Sequence, residues 1–580
     1  APQPPDEGAA FHEEDMARLD DVFQVHLPRA FAAATNTDPR RAHRRTQHEV
    51  ARQVALTLGQ RELLLMHAPT GTGKTLAYLI PSMLWAARHN LRIGLATYTR
   101  ALQEQAWDKE VPRALGALRA AGVPALPRVA VLKGRENYAC WRAIRHSPPE
   151  DEAPEAWLAW TQVALFALTD GDADLDRLPT RAPLPLEDNE TYAKTFESTL
   201  RSSRARPACC LRRVDKDACG AELARLKAER SHVVIVNQAF ALSRQDFFRV
   251  LVFDECEHLH EQAHSVWSRM LALDDIPALL ARLRQPAAAR RGKPRAVLDR
   301  LRQLCFADED AAEALKIADE GWSGVRTAYA GLVVGVAAFD AWRIEAARGR
   351  TERDLHSLLK EWIVDHAEES AELLEARVQF EQAGNELDAA LAALAEHLGR
   401  MPSGGSGATR RNLDLARVEL AEQVETMRAW IPIEEGAPRF AARTFYDVEI
   451  EQRGGTRRCV LAARVLLPNE YLGDLYYPQL HSAVFLSATT WLRGSFESSI
   501  AYLGIDTALN QAVEGKARAR QQGDAEGAKH KDAPGHHARL GQHHADRAGA
   551  DGHAGDAVAH RLLQRRRGDH LGVVVRVDFQ

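Results

Sequence analysis

Short aliphatic runs recur through the first half of the chain, each followed by a stretch of helical character. Leu63–His67, Ile93–Thr97, Val129–Leu132, Val233–Val236 and Val250–Phe253 are apolar at nearly every position, and Ala483–Leu486 repeats the pattern far downstream. Strands that are apolar on both faces belong inside a parallel sheet covered by helices, so the expected fold class is α/β. Between Phe253 and Ala483 the period lengthens. Leu387, Leu391, Leu394 and Leu398 recur at helical spacing, and Leu413, Leu420, Val424 and Met427 do so again beyond Pro402-Ser-Gly-Gly-Ser-Gly407. That pattern predicts a helical hairpin packed through its leucines. From Thr507 the character changes: no Phe, Trp or Tyr lies between Tyr502 and Phe579, and eight of the 23 histidines fall in the last seventy residues. Such a composition buries too little apolar surface to offset chain entropy, so residues 507–580 are expected to be a low-complexity, disordered or out-of-frame tail.

Bulk properties narrow the class. At 580 residues the chain holds several domains, and a net charge of −5 excludes a broadly basic, histone-like binder while leaving room for a local basic groove. The cluster Arg290-Arg291-Gly-Lys293-Pro-Arg295 reads as a solvated loop. The longest nearly uncharged apolar run, Thr327–Phe339, is too short to span a bilayer, so no membrane association is expected. Seven sparse cysteines point to a reducing cytoplasm, and the acidic, proline-rich start carries no signal peptide. The absence of an initiator methionine points to processing or an incomplete gene product.

Two segments carry chemistry. Ala68-Pro-Thr-Gly-Thr-Gly-Lys-Thr75 lies between an apolar run and a helical one, Leu76–Trp85. Gly71 and Gly73 let the backbone around Thr72 wrap closely enough for successive N–H groups to face phosphate oxygens. Lys74 would reach the β- and γ-phosphates of ATP, and the Thr75 hydroxyl would hold Mg²⁺. The second segment is Val250-Leu-Val-Phe-Asp254-Glu255, an apolar strand that ends in adjacent carboxylates. Asp254 suits the Mg²⁺ shell, and Glu255 suits the orientation or deprotonation of an attacking water.

Together with Thr97-Tyr-Thr-Arg-Ala-Leu-Gln-Glu-Gln105, Ser487-Ala-Thr489, Lys133-Gly-Arg-Glu-Asn-Tyr-Ala-Cys140 and Val236-Asn237, these segments resemble the DinG/XPD group of superfamily-two ATP-dependent DNA helicases over roughly Arg44 to Asp506. The resemblance implies a RecA-like first motor domain at 41–135, 231–260 and 446–492. It implies an iron–sulfur insertion at 136–230, a helical arch insertion at 261–445 and the start of a second motor domain at 493–506, after an N-terminal extension at 1–40. It further implies that Gln47 reads adenine, that Thr99 and Gln103 touch the DNA backbone, and that Ser487 and Thr489 couple hydrolysis to strand movement. Cys140, Cys209, Cys210 and Cys219 would be the ligands of a 4Fe–4S cluster, although the middle pair is adjacent here and several residues apart in the family. The box is Asp-Glu-Cys-Glu with His258 one place late, and Gln238 stands where a His is common.

The activity implied is 5′-to-3′ translocation on single-stranded or forked DNA by a cytoplasmic monomer. No Gln-x-x-Gly-Arg-x-x-Arg follows Thr489, so the second motor domain reads as largely missing and turnover as impaired. The alternatives are a non-motor, ATP-regulated single-stranded DNA-binding module and an accessory helicase of a CRISPR or mobile-element system.

Overall fold

The computed structural model describes residues 2, 9–35, 44–60, 62–145, 148–149, 153–181, 189–205, 219–284, 296–304, 309–348, 358–400, 407–453, 456–508 and 572–575. In chain order the principal strands are β1 (Leu63–His67), β2 (Ile93–Thr97), β3 (Val129–Val131), β4 (Val233–Asn237), β5 (Val250–Asp254), β6 (Arg269–Ala272), β7 (Thr444–Arg453), β8 (Thr456–Val465), β9 (Ser482–Ser487) and β10 (Gly572–Val575). The chain divides into two compact units, one from Ala1–Leu132, Ala228–Val266 and Pro468–Gln580, the other from Lys133–Lys227 and Trp267–Leu467.

The first unit is built on a sheet in the order β10-β1-β9-β5-β2-β4-β3. The six apolar runs read from the sequence are its six parallel strands, and β10 adds to β1 antiparallel. The helices around it are α1 (Glu13–Asp21), α2 (Leu27–Thr35), α3 (Arg45–Leu58), α4 (Lys74–His89), α5 (Arg100–Gln105) and α6 (Val111–Ala120). Leu64, Met66, Ile93 and Val252 pack with Val54, Leu79 and Met83 of the covering helices. That two-sided cover explains why the strands lack polar alternation. Leu19, Val22 and Phe23 join the same core, and the Trp85 indole N–H donates to Ala9 O at 2.6 Å. The described part of the N-terminal extension is therefore integral to the sheet domain. Of the segment expected to be a structureless tail, Thr507 and Ala508 continue a helical turn and Gly572–Val575 forms β10; residues 509–571 and 576–580 lie outside the described residues.

His232 opens β4. Its Nδ1 accepts the Arg128 backbone N–H at 3.0 Å, and Nε2 faces Asn90 Oδ1 at 3.2 Å. Burial, reinforced by the Arg128 charge, pushes its pKa down to about 4. The folded imidazole stays neutral where the unfolded one, with an ordinary pKa near 6.5, takes up a proton. The stability it contributes is complete above pH ~6.5 and is lost as pH falls towards ~4. Urea midpoints measured across that window should fall with acid, and His232→Gln should flatten the slope.

The second unit has two cores. Residues 133–227 gather Ile144, Ala159, Val163, Tyr192 and Phe196. There the Lys133 ammonium is buried between Asp174 (2.7 Å) and Asp176 (2.8 Å). Residues 267–467 are dominated by α7 (Glu309–Ala346), α8 (Ala367–Arg400) and α9 (Gly407–Ala429). Helices α8 and α9 are the predicted leucine hairpin, tied by Arg417 Nε to Asp388 at 2.9 Å and Arg428 Nε to Glu381 at 2.7 Å. The connecting residues 402–406 lie outside the described residues. Helix α7 runs antiparallel against α8, since Gly321 abuts Leu387 and Gly335 abuts Leu373.

The helical insertion expected at 261–445 is accompanied by strands. β7 and β8 make an antiparallel hairpin, and β8 also pairs with β6, so the unit boundary falls at Leu467. A ten-residue ladder registers β7 with β8. The cluster Arg290–Arg295 lies outside the described residues. Among the described residues no helix is long and apolar enough to cross a membrane.

Candidate active site

The C-terminal ends of the parallel strands gather the chemistry-bearing residues of the first unit, as open α/β sheets generally do. After β1, the Ala68 N–H donates to Ser487 O at 2.8 Å, and the Thr72 hydroxyl donates to Pro69 O at 2.6 Å. Gly71 and Gly73 both adopt φ = +81°, a region that side-chain-bearing residues avoid. At Gly73 a Cβ would also lie 2.2 Å from Gln47 Nε2. Lys74 and Thr75 then open α4, whose unpaired N–H groups and dipole favour an anion.

Gln47 Nε2 donates to Gly73 O at 2.8 Å and Arg44 Nη1 to Gly71 O at 3.0 Å. Both residues therefore brace the loop backbone. Beside them lies a cavity of about 330 Å³ whose lining includes Phe31, Arg44, Gln47, Lys74, Thr75 and Arg113. The Arg44 and Arg113 guanidiniums lie 6.0 and 5.6 Å from the Phe31 ring centroid, and Arg113 is held by Glu110 at 2.9 Å. Its lining thus combines the loop and helix N-terminus with an aromatic ring and two guanidiniums. Phe31, Glu110 and Arg113 went unnoticed in the sequence, because only the folding of α2 and α6 onto the sheet brings them to the loop.

Asp254 ends β5, almost wholly buried, and receives the Tyr78 hydroxyl on Oδ2 at 2.9 Å and the Glu255 N–H on Oδ1 at 3.1 Å. Burial pushes the Asp254 carboxyl up, and the nearby Lys74 charge opposes that rise. Glu255 is likewise raised, first by burial and then by the Asp254 and Glu257 charges. Its backbone sits at φ = +54°, a strained conformation for a glutamate. Gln238 offsets that strain, donating Nε2 to Asp254 O at 2.8 Å and Glu255 O at 3.1 Å. The departure from His at 238 thus marks a residue that holds the backbone of the carboxylate pair.

Neighbouring strand ends carry the other expected positions. Thr99 caps α5, accepting the Leu102 N–H at 3.3 Å, while Gln103 is fully buried in the packing of that helix. The Ser487 and Thr489 hydroxyls lie 3.0 Å apart, and Thr490 donates to Met66 O at 3.0 Å, which ties the Ser-Ala-Thr turn to β1. His258 stacks on Tyr98 with centroids 3.8 Å apart, linking the carboxylate box to the β2–α5 junction. In the second unit Cys140 and Cys219 are buried partners in an antiparallel bridge. Cys209 and Cys210 lie outside the described residues. Among the described residues no group of three or more His, Cys, Asp or Glu side chains is arranged to hold a metal ion.

A parallel six-stranded sheet with a glycine-bearing loop after β1 and a carboxylate pair after β5 fits a RecA-like domain. No protein-family model matches the chain. It is 33% identical over 239 residues to the ATP-dependent helicase DinG of Mycobacterium tuberculosis, covering 38% of this chain and 35% of that one. It is 24% identical over 490 residues to the 3'-5' exonuclease DinG of Bacillus subtilis, covering 79% and 47%. It is 28% identical over 252 residues to the ATP-dependent DNA helicase YoaA of Escherichia coli, covering 40% and 35%. The chain is thus similar, over part of its length, to proteins named DinG and YoaA. The matches span between about a third and a half of each of these relatives.

Proposed function

We propose that the chain carries the first motor domain of an ATP-dependent DNA helicase, in which ATP hydrolysis drives 5′-to-3′ movement along single-stranded or forked DNA. The observation that carries this reading is the convergence of the phosphate loop, the Asp254-Glu255 pair and the Ser487–Thr489 turn at adjacent strand ends. The triphosphate would lie along the loop with Lys74 on its β- and γ-oxygens. The base would lie beside Phe31, Arg44 and Gln47 in the cavity. Thr75 and Asp254 would hold Mg²⁺, which when bound neutralises charge on the phosphates. Glu255, raised by its surroundings, would hold the attacking water and receive its proton. Thr99 would follow the DNA strand, Gln103, buried within α5, would support that segment rather than touch the strand, and Ser487 and Thr489 would transmit the state of the nucleotide. The protein would act as a cytoplasmic monomer.

A 4Fe–4S cluster in the insertion belongs to the same reading. Cys140 and Cys219, as bridge partners, suit two of its four thiolates, and Cys209 and Cys210 would complete the set. Anaerobically reconstituted protein should absorb near ~400 nm, and Cys140→Ser or Cys219→Ser should remove the band. An unchanged band in both variants would rule these ligands out.

ATP turnover by the full chain, measured with and without single-stranded DNA, tests the main reading. Stimulation by DNA is expected. Salt-sensitive DNA binding with no turnover at all would replace it with the non-motor, ATP-regulated binding module.

A further inference from the structure

We infer that Tyr78 is a positioning residue for the metal site, fixing the Asp254 carboxylate through a hydrogen bond from the helix that holds the phosphates. This inference rests on the proposed ATP and Mg²⁺ reading of Lys74, Thr75 and Asp254. Tyr78 is almost completely buried in α4, four residues after Lys74 and three after Thr75, so all three share one face of the helix. A buried phenol needs a hydrogen-bond partner, and this one commits its single proton to Asp254 Oδ2 at 2.9 Å. The helix that carries Thr75 thus reaches, through the Tyr78 oxygen, the other side chain proposed to hold magnesium.

The remaining contacts of Asp254 explain why this matters. Its other oxygen accepts the Glu255 N–H at 3.1 Å, and its own carbonyl is held by Gln238. With a donor on each oxygen, the carboxylate plane is set and the remaining lone pairs keep one direction. A buried carboxylate without the phenol would turn to recover its lost partner or recruit a water, and either change misaligns it for an octahedral ion. Tyr78 also joins the loop helix to the end of β5, so the group that cradles phosphate and the group that meets the metal are referred to one side chain. Nothing in the sequence marks this pairing, since the two residues are 176 positions apart.

The test uses the full chain and a fluorescent ATP analogue, titrated in EDTA and at rising Mg²⁺. Wild type should bind more tightly as Mg²⁺ is added. Tyr78→Phe keeps the ring and should leave affinity in EDTA unchanged, while raising the half-saturating Mg²⁺ concentration by about 10-fold, a usual size for loss of a ligand-orienting partner. In an Asp254→Asn background the same substitution should produce no further shift, because its route to the metal is gone. A Tyr78→Phe chain with wild-type Mg²⁺ dependence overturns the inference, as does an equal loss of affinity in EDTA and in Mg²⁺, which would mark Tyr78 as packing alone. If the wild type itself binds no better with Mg²⁺, the reading of Thr75 and Asp254 fails and takes this inference with it.

Discussion

Lys74→Ala should remove ATP turnover and most of the affinity for triphosphate while leaving the fold intact. The residue opens α4 just after Gly73, so its backbone needs nothing from the side chain, and alanine is a better helix former than lysine. What is lost is the one lysine side chain of the loop that faces the cavity. Charge-assisted hydrogen bonds to phosphate are about twice as strong as neutral ones, and removing one preorganised donor from a developing charge typically costs ~10²–10³ in rate. A fall of at least about 10²-fold in phosphate release is expected. A second effect adds to it. Lys74 opposes the burial-driven rise of both Asp254 and Glu255, so its loss leaves those carboxylates with a weaker grip on their charge. Phosphate release and analogue binding, with circular dichroism as the check on folding, measure both effects. Wild-type turnover in Lys74→Ala would sink the assignment of the loop.

Gly335→Val should be the most damaging single change in the second unit. A Cβ at this position would sit 2.6 Å from the Leu373 Cβ and 2.8 Å from its Cα, so relief requires α7 and α8 to separate. Gly321, Gly324 and Gly331 make similar approaches of 2.8–3.0 Å along the same seam, so the two long helices cannot pivot away at one point. Overpacking of this kind costs about 3 kcal/mol, equivalent to a fall of roughly 6–12 °C in the melting of a unit this size. Gly116→Ala is the contrast. It lies inside α6 with nothing within 4 Å of a new Cβ, and it should stabilise by ~0.5–1 kcal/mol. Thermal melts of the two variants against wild type decide the matter, and an unshifted Gly335→Val would mean the helices are not in register as described.

The parallel sheet was legible because two-sided burial leaves a strong mark: Ile93–Thr97 and Val250–Asp254 carry no outward face to vary. The turn after β1 was legible because its glycines answer a backbone requirement visible at Gly71 and Gly73, both at positive φ. Thr444–Val465 was not. Its strands carry Glu449, Glu451, Arg457 and Arg464 among apolar residues, and Arg464 pairs with Glu449 across the ladder at 2.6 Å. Half-polar strands in a charged region resemble the flanks of helices until their partner is known. The cavity's aromatic lining escaped for a different reason. Phe31 and Arg113 are unremarkable in their own helices, and only packing gives them a common neighbour. The Tyr98–His258 stack likewise depends on β2 and β5 lying side by side.

The order of the strands in the sheet has a consequence for synthesis. β9 sits between β1 and β5, yet it leaves the ribosome more than two hundred residues after β5. Until then β1 has no parallel partner, the Ala68 N–H lacks Ser487 O, and the phosphate loop hangs from an unpaired edge. Translation proceeds at roughly 5–20 residues per second, so a nascent chain spends on the order of ten seconds or more with its proposed nucleotide site half-assembled. During that interval the second unit can fold on local helix contacts, while the open edges of β1 and β5 are exposed to wrong partners. Chaperone dependence in this protein should therefore track the timing of β9 rather than the length of the chain.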